Sequence, residues 1–171
     1  MNITKKAFFG FFALLFCSAA FAKNSMLSIQ VIQNNPGQEK IWATSEFFEQ
    51  SLIDYFFNKG RIVSNSPIFV DNGDSRERSK SLRAALIENK IGGMDYLVRV
   101  EVFFRTTNSS KPDSPKLGNI ERVAWKVYDV FSGAELSDGS AEPGPITKSN
   151  DNEAGIIAFA SKVASSAIGE R

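Results

Sequence analysis

The chain has 171 residues, with 20 Lys and Arg against 19 Asp and Glu, one Cys and no His. That length allows one domain of ordinary size, and the balanced charge argues against nucleic acid as a partner, because such binders are usually basic. The missing His removes the usual general base and the commonest metal ligand.

The N-terminus has the layout of an export signal. Lys5 and Lys6 precede the apolar run Ala7–Phe16, which is too short to span a bilayer, and Ala20-Phe21-Ala22 supplies a small-residue cleavage site. Cleavage after Ala22 leaves residues 23–171 as one periplasmic domain with neither Cys nor His and a slight acidic excess. That domain has no disulfide, no thiolate nucleophile and no Cys/His metal set to draw on. Cys17 offers a second reading as a lipidated residue, which would bring membrane contact. The bulky Phe16 before it argues against lipidation.

Met26–Gln33 alternates, with Leu27, Ile29 and Val31 on one face, and reads as a half-buried strand. Residues 34–37 form a turn cluster. Ile41–Lys59 reads as a helix whose apolar stripe is Phe47, Phe48, Ser51, Leu52, Tyr55 and Phe56. Thr44 or Ser45 is a candidate cap, and Lys59-Gly60 a stop. A short strand starts at Arg61–Val63 and continues in, or is followed by, Pro67–Val70. Asp71-Asn72-Gly73-Asp74 is a plain turn without the calcium-loop pattern.

Ser75–Ile91 is a second helix, with Leu82, Ala85, Leu86 and Ile91 inward and a charged outer face of Arg76, Glu77, Arg78, Lys80 and Arg83. Met94–Arg105 is the clearest strand: Met94, Tyr96, Val98, Val100, Val102 and Phe104 alternate against Leu97, Arg99, Glu101, Phe103 and Arg105. The polar loop 106–118 leads into a strand over 119–132. There Val123, Trp125, Val127 and Phe131 alternate against Arg122, Lys126 and Tyr128. The pair reads as an antiparallel hairpin. A last strand follows near Glu135–Ser140. The C-terminal helix starts at the Asn150/Glu153 spacing and buries Ile156, Phe159, Ala160, Val163, Ala164, Ala167 and Ile168.

The order β-α-β-α-β-β-β-α predicts an α/β (α+β) two-layer sandwich. Its mixed sheet has about five strands, with the three helices mainly on one face. No phosphate loop, dinucleotide loop or nucleophile elbow is present. Glu101 and Glu121 could supply a carboxylate pair for glycan hydrolysis, but cross-strand pairing with Arg99, Arg105, Arg122 and Lys126 explains them without catalysis. The face carrying Arg99, Glu101, Phe103, Arg105, Arg122, Lys126 and Tyr128 is the candidate binding surface, because interfaces favour Arg and aromatic side chains. The loop 106–118 is the other candidate. No metal and no cofactor is implied.

Three stretches carry a resemblance: SLIDYFFNKGRIVSNSPI, GMDYLVRVEVFF and VAWKVYDVFSGAEL, the last with a D-x-x-[ST]-G turn at Asp129–Gly133. They resemble periplasmic α/β domains of the curli-secretion lipoprotein, the lipoprotein activators of penicillin-binding proteins and the N-terminal domain of the Tol propeller protein. The resemblance runs from Leu27 to Ile168 and rests on fold motifs, not catalytic residues. It implies a non-enzymatic protein that binds an envelope protein and positions or regulates it. A transport or assembly accessory of the outer membrane, with an oligomer left open, is the alternative, and a carboxylate-dependent envelope glycan hydrolase the remote one. The chain departs from the group in lacking a lipobox and the extra segments of the curli pore.

Overall fold

Strand β1 (Met26–Asn34) organises the sheet, because it pairs on both sides. The computed structural model describes residues 25–34, 40–105 and 114–169. The expected leader, Cys17 and the cleavage point after Ala22 lie outside the described residues, as does most of the candidate loop, at 106–113.

From β1 the chain passes through α1 (Ala43–Asn58) to β2 (Ile62–Asn65) and β3 (Phe69–Asp71). Both of these short strands run parallel to β1 along the same edge, with Met26 opposite Ile62 and Ile32 opposite Phe69. Pro67 lies between them. It has no N–H to give the ladder, so the edge strand is broken rather than continuous. Helix α2 (Ser75–Ile91) then carries the chain to β4 (Tyr96–Phe104), on the far side of β1. The rest is a meander: β5 (Ile120–Asp129) and β6 (Glu135–Ala141) are antiparallel, as the sequence predicts, and α3 (Glu153–Ala167) closes the chain. Among the described residues the sheet has six strands, ordered β2-β1-β4-β5-β6 with β3 also on β1. The mixed α+β sandwich is therefore the fold.

Helices α1 and α3 share one face. Phe48, Leu52 and Phe56 from α1 and Ile156, Phe159 and Val163 from α3 pack on Leu27, Ile29, Val31, Val98, Val100, Val102, Val123 and Val127. The expected apolar faces of β1, β4, β5, α1 and α3 therefore build the main core. Trp125 joins it by lying over Gly139, its cross-strand partner; a Cβ there would meet the indole at 2.4 Å.

Helix α2 packs on the opposite face, where Ala85, Leu82 and Leu86 meet Leu97, Tyr128 and Val130. The path of the chain explains this. Parallel crossovers are right-handed. The step from β1 to β2 and the step from β3 to β4 move in opposite directions across the sheet, so their helices fall on opposite faces. Strand β1 is consequently buried on both faces rather than half-buried.

Several local expectations are corrected. Neither Thr44 nor Ser45 caps α1, which begins after Trp42. The buried side chain of Gln33 does that work instead: its Oε1 accepts from the Trp42 N–H and the Ser45 hydroxyl, both at 2.8 Å. Asn152, not Asn150, caps α3 by accepting from Gly155 N at 3.1 Å. Met94 precedes β4 and packs with the second cluster. Ile91 and Phe131 face solvent, at 83% and 80% exposure. Phe131 lies beyond the end of β5, in the turn where Asp129 Oδ1 accepts from the Ser132 hydroxyl and N–H and Gly133 takes φ +73°. Those bonds hold the Asp129 carboxyl below its ordinary pKa, the hydroxyl contributing most.

The α2 interface is unlike the main core. Asn89 Nδ2 donates to Ser66 Oγ at 3.1 Å, and Gln30 Nε2 donates to Ser81 Oγ at 3.4 Å. Few apolar side chains hold this helix down, and local opening follows apolar burial. Amide exchange in native buffer is expected to run at least about tenfold faster over Leu82–Glu88 than over the buried turns of α1 and α3. Equal protection of all three helices would contradict this ranking.

Candidate functional site

The predicted binding face is half covered. Helix α2 lies over Leu97 and Tyr128 and stops short of β6, leaving a groove of about 340 Å³ on this side of the sheet. Its floor is β4 and β5, its one wall α2. Of the predicted residues, Arg99, Glu101, Lys126 and Tyr128 line it together, and α2 adds Arg78 and Leu82.

Strand alternation places Arg99 and Glu101 here, since residues two apart share a face. Cross-strand register then sets Lys126 opposite Arg99, and Ala124 opposite Glu101. The charges are arranged rather than scattered. Arg78 pairs with the buried Asp71 and lies 3.2 Å from Glu101 Oε1. Asn34 Nδ2 donates to the same Glu101 oxygen at 3.0 Å. Lys126 Nζ lies 2.7 Å from Glu135 Oε2 on the next strand. Glu101 thus takes its ion pair from α2, not from the hairpin neighbours that the sequence suggests.

Arg99 is different. It is 7% exposed, and its Nη2 donates to the Arg78 carbonyl and to Ser81 Oγ, both at 3.3 Å. Its Nε is buried without an acceptor among the described residues. Burial lowers the affinity of this guanidinium for its proton, partly countered by Tyr128 and Glu101; an arginine remains charged through such a shift. Burial also raises the Tyr128 pKa above its ordinary value, against the pull of Lys126. The phenol therefore holds its proton at neutral pH and is a donor.

The remaining predicted residues lie farther along the face. Arg122 is opposite Phe103 and stacks over its ring, 3.7 Å from the centroid. Arg105 follows β4 and donates from Nε to the Ile120 carbonyl at 3.3 Å. Glu121 is skipped by a register shift in which Phe103 pairs with Arg122 and Phe104 with Ile120. It is exposed and does not line the groove with Glu101. The two carboxylates are not brought together, so a paired-carboxylate hydrolase has no support here.

Arg78, Leu82 and Asp71 escape the sequence reading. Arg78 looks like part of a solvated helix face, and Asp71 like a simple turn residue. The usable signal is that Arg78, Ser81 and Leu82 share one side of α2, beside a strand face that alternates Gln30 and Ile32 on β1 with Arg99 and Glu101 on β4. Among the described residues, no cluster of His, Cys, Asp and Glu could hold a metal, and no helix is long and apolar enough to cross a membrane.

A protein-family model described as "Uncharacterised protein" matches residues 26–170. The chain belongs to that family. No curated protein matches it in sequence. Among solved structures, it is similar to the PelC dodecamer from Paraburkholderia phytofirmans, at 15% identity over 88% of this chain and 89% of that one, with a TM-score of 0.49. It is similar to the LpoB C-terminal domain from Escherichia coli, at 12% identity over 75% and 90%, with a TM-score of 0.46. It is also similar to lipoprotein GNA1162 from Neisseria meningitidis, at 15% identity over 81% and 94%, with a TM-score of 0.40. At these identities and TM-scores the likenesses assign no role, and the groove must be read from its own residues.

Proposed function

We propose that this chain is an exported, non-enzymatic protein of the bacterial envelope that binds an envelope protein and positions or regulates it. Residues 1–22 are the signal, and residues 23–171 the working domain. The groove between α2 and the β4–β6 meander is the binding surface. What carries the reading is one observation: Arg78, Arg99, Lys126 and Tyr128 converge beside Leu82 in a recess of the sheet face. Arginine and aromatic anchors beside apolar surface are what protein interfaces concentrate at their centres.

Site-specific photocrosslinking in intact cells tests it. A crosslinker at Ser79, exposed on the groove rim, is expected to give a discrete adduct with one envelope protein. The same group at Lys162, exposed on α3, is expected to give none. Sequencing of the isolated protein should begin at Lys23. Equal adducts from both positions, or none from Ser79, would remove the groove from the proposal. A lipidated Cys17 would replace the soluble form with an anchored one.

A further inference from the structure

We infer that the groove takes a peptide carboxylate carried beside an apolar side chain, as at a chain terminus, with Arg99 as its cation. This rests on the binding role proposed for the groove and names the chemistry that it selects.

The cations of the groove differ in their charge partners. Arg78 has Asp71 and Glu101, and Lys126 has Glu135. Arg99 is the most buried of the three cations, yet among the described residues its hydrogen bonds go to a carbonyl and a hydroxyl, and its Nε has no acceptor. A buried guanidinium without a carboxylate in contact is costly to the fold. A ligand carboxylate in the groove offsets that cost by accepting a charge-assisted bond from Nη1, the guanidinium nitrogen that Arg78 and Ser81 leave unengaged. Tyr128 lines the same recess, and its hydroxyl is a further donor.

Three further features narrow the class. Glu101 and Asp138 also line the groove, and their negative charge works against a doubly charged anion such as phosphate. Leu82 and Ile32 supply an apolar wall for a side chain next to the charge. The volume of about 340 Å³ lies at the small end of ligand pockets, which run from about 300 to 1,000 Å³. It suits the last residue or two of a peptide rather than a folded element.

The test is a titration of the purified, isotope-labelled protein followed by NMR, with N-acetyl-leucine as the probe. Saturable shifts are expected at Arg99 Nε–H and at the Leu82 and Lys126 amides, with a dissociation constant on the order of 1 mM. N-acetyl-leucine amide, which lacks the charge, is expected to produce none. Arg99→Met should weaken binding at least about tenfold without lowering the unfolding midpoint, because it removes a buried charge as well as the site. Tyr128→Phe, which deletes one hydroxyl, gives a second variant and should weaken binding by a smaller factor. Absence of saturable shifts, or equal binding by Arg99→Met, overturns the inference. Tighter binding of octanoate would overturn the peptide assignment in favour of a lipid carboxylate, and equal competition by inorganic phosphate would overturn the carboxylate assignment. A failed titration beside a Ser79 adduct removes this ligand class and leaves the partner. A successful titration without the adduct does the reverse.

Discussion

Gly155→Ala is expected to destabilise the protein by about 2 kcal/mol, although alanine is the better helix former. Inside an exposed helix the exchange normally gains about 1 kcal/mol. Gly155 is the third residue of α3, and its N–H is bound by the Asn152 cap. A Cβ at this position would lie 1.9 Å from the Asn150 carbonyl oxygen and 3.2 Å from Leu117 Cδ2. The carbonyl cannot swing aside freely. Asn150 Nδ2 donates to the Pro145 carbonyl at 3.0 Å, and Asn150 Oδ1 accepts from Thr147 N at 2.7 Å. The turn before α3 is tied in its own right, so the helix start or the turn must break. Forced overpacking costs about 1 to 3 kcal/mol and occasionally more, which outweighs the propensity gain. Chemical denaturation followed by circular dichroism checks the sign: a midpoint above that of the parent protein would defeat the argument.

The same residue shows how sequence and structure divide the labour here. Periodicity locates α3 and its buried face, because Ile156, Phe159, Ala160, Val163 and Ala164 recur at helical spacing. Nothing in that period says that residue 155 touches a turn. The case of α2 is sharper. Its limits, Ser75–Ile91, are legible from the turn before it and the glycines after it, and so is its weak apolar stripe. The side of the sheet it takes is not legible, because that depends on β2 and β4 lying on opposite sides of β1. Parallel pairings on both sides of β1 are long-range facts, and no local pattern carries them.

The groove inherits this division. Arg99, Glu101, Lys126 and Tyr128 share a face by strand alternation and hairpin register, which is local enough to read. The Arg78–Asp71 pair and the wall formed by Leu82 need the position of α2. A face expected to be open is therefore half roofed. That roofing buries Arg99, and a flat charged surface becomes a recess with an inward cation.

The second large effect is Phe48→Ala, expected to cost about 3 to 5 kcal/mol. Phe48 is 0% exposed and sits on α1 between the sheet and α3, with its ring edge-on to Phe159 at 6.0 Å between centroids. Truncation removes the buried ring and the aromatic contact that joins the two helices of the main layer, and it leaves a cavity that neighbours on three elements cannot all close. For a domain of ordinary stability, about 5 to 15 kcal/mol, this is a large part of the margin. Phe131→Ala is the matched control. The sequence places both phenylalanines inward, yet Phe131 is 80% exposed and its ring meets Lys90 Nζ at 4.4 Å from the centroid. An exposed contact of that kind is worth about 0.5 to 1 kcal/mol. Denaturation midpoints of the two variants should therefore separate widely. Similar losses would mean that the turn at Asp129–Gly133 bears on the core, against the packing described for it.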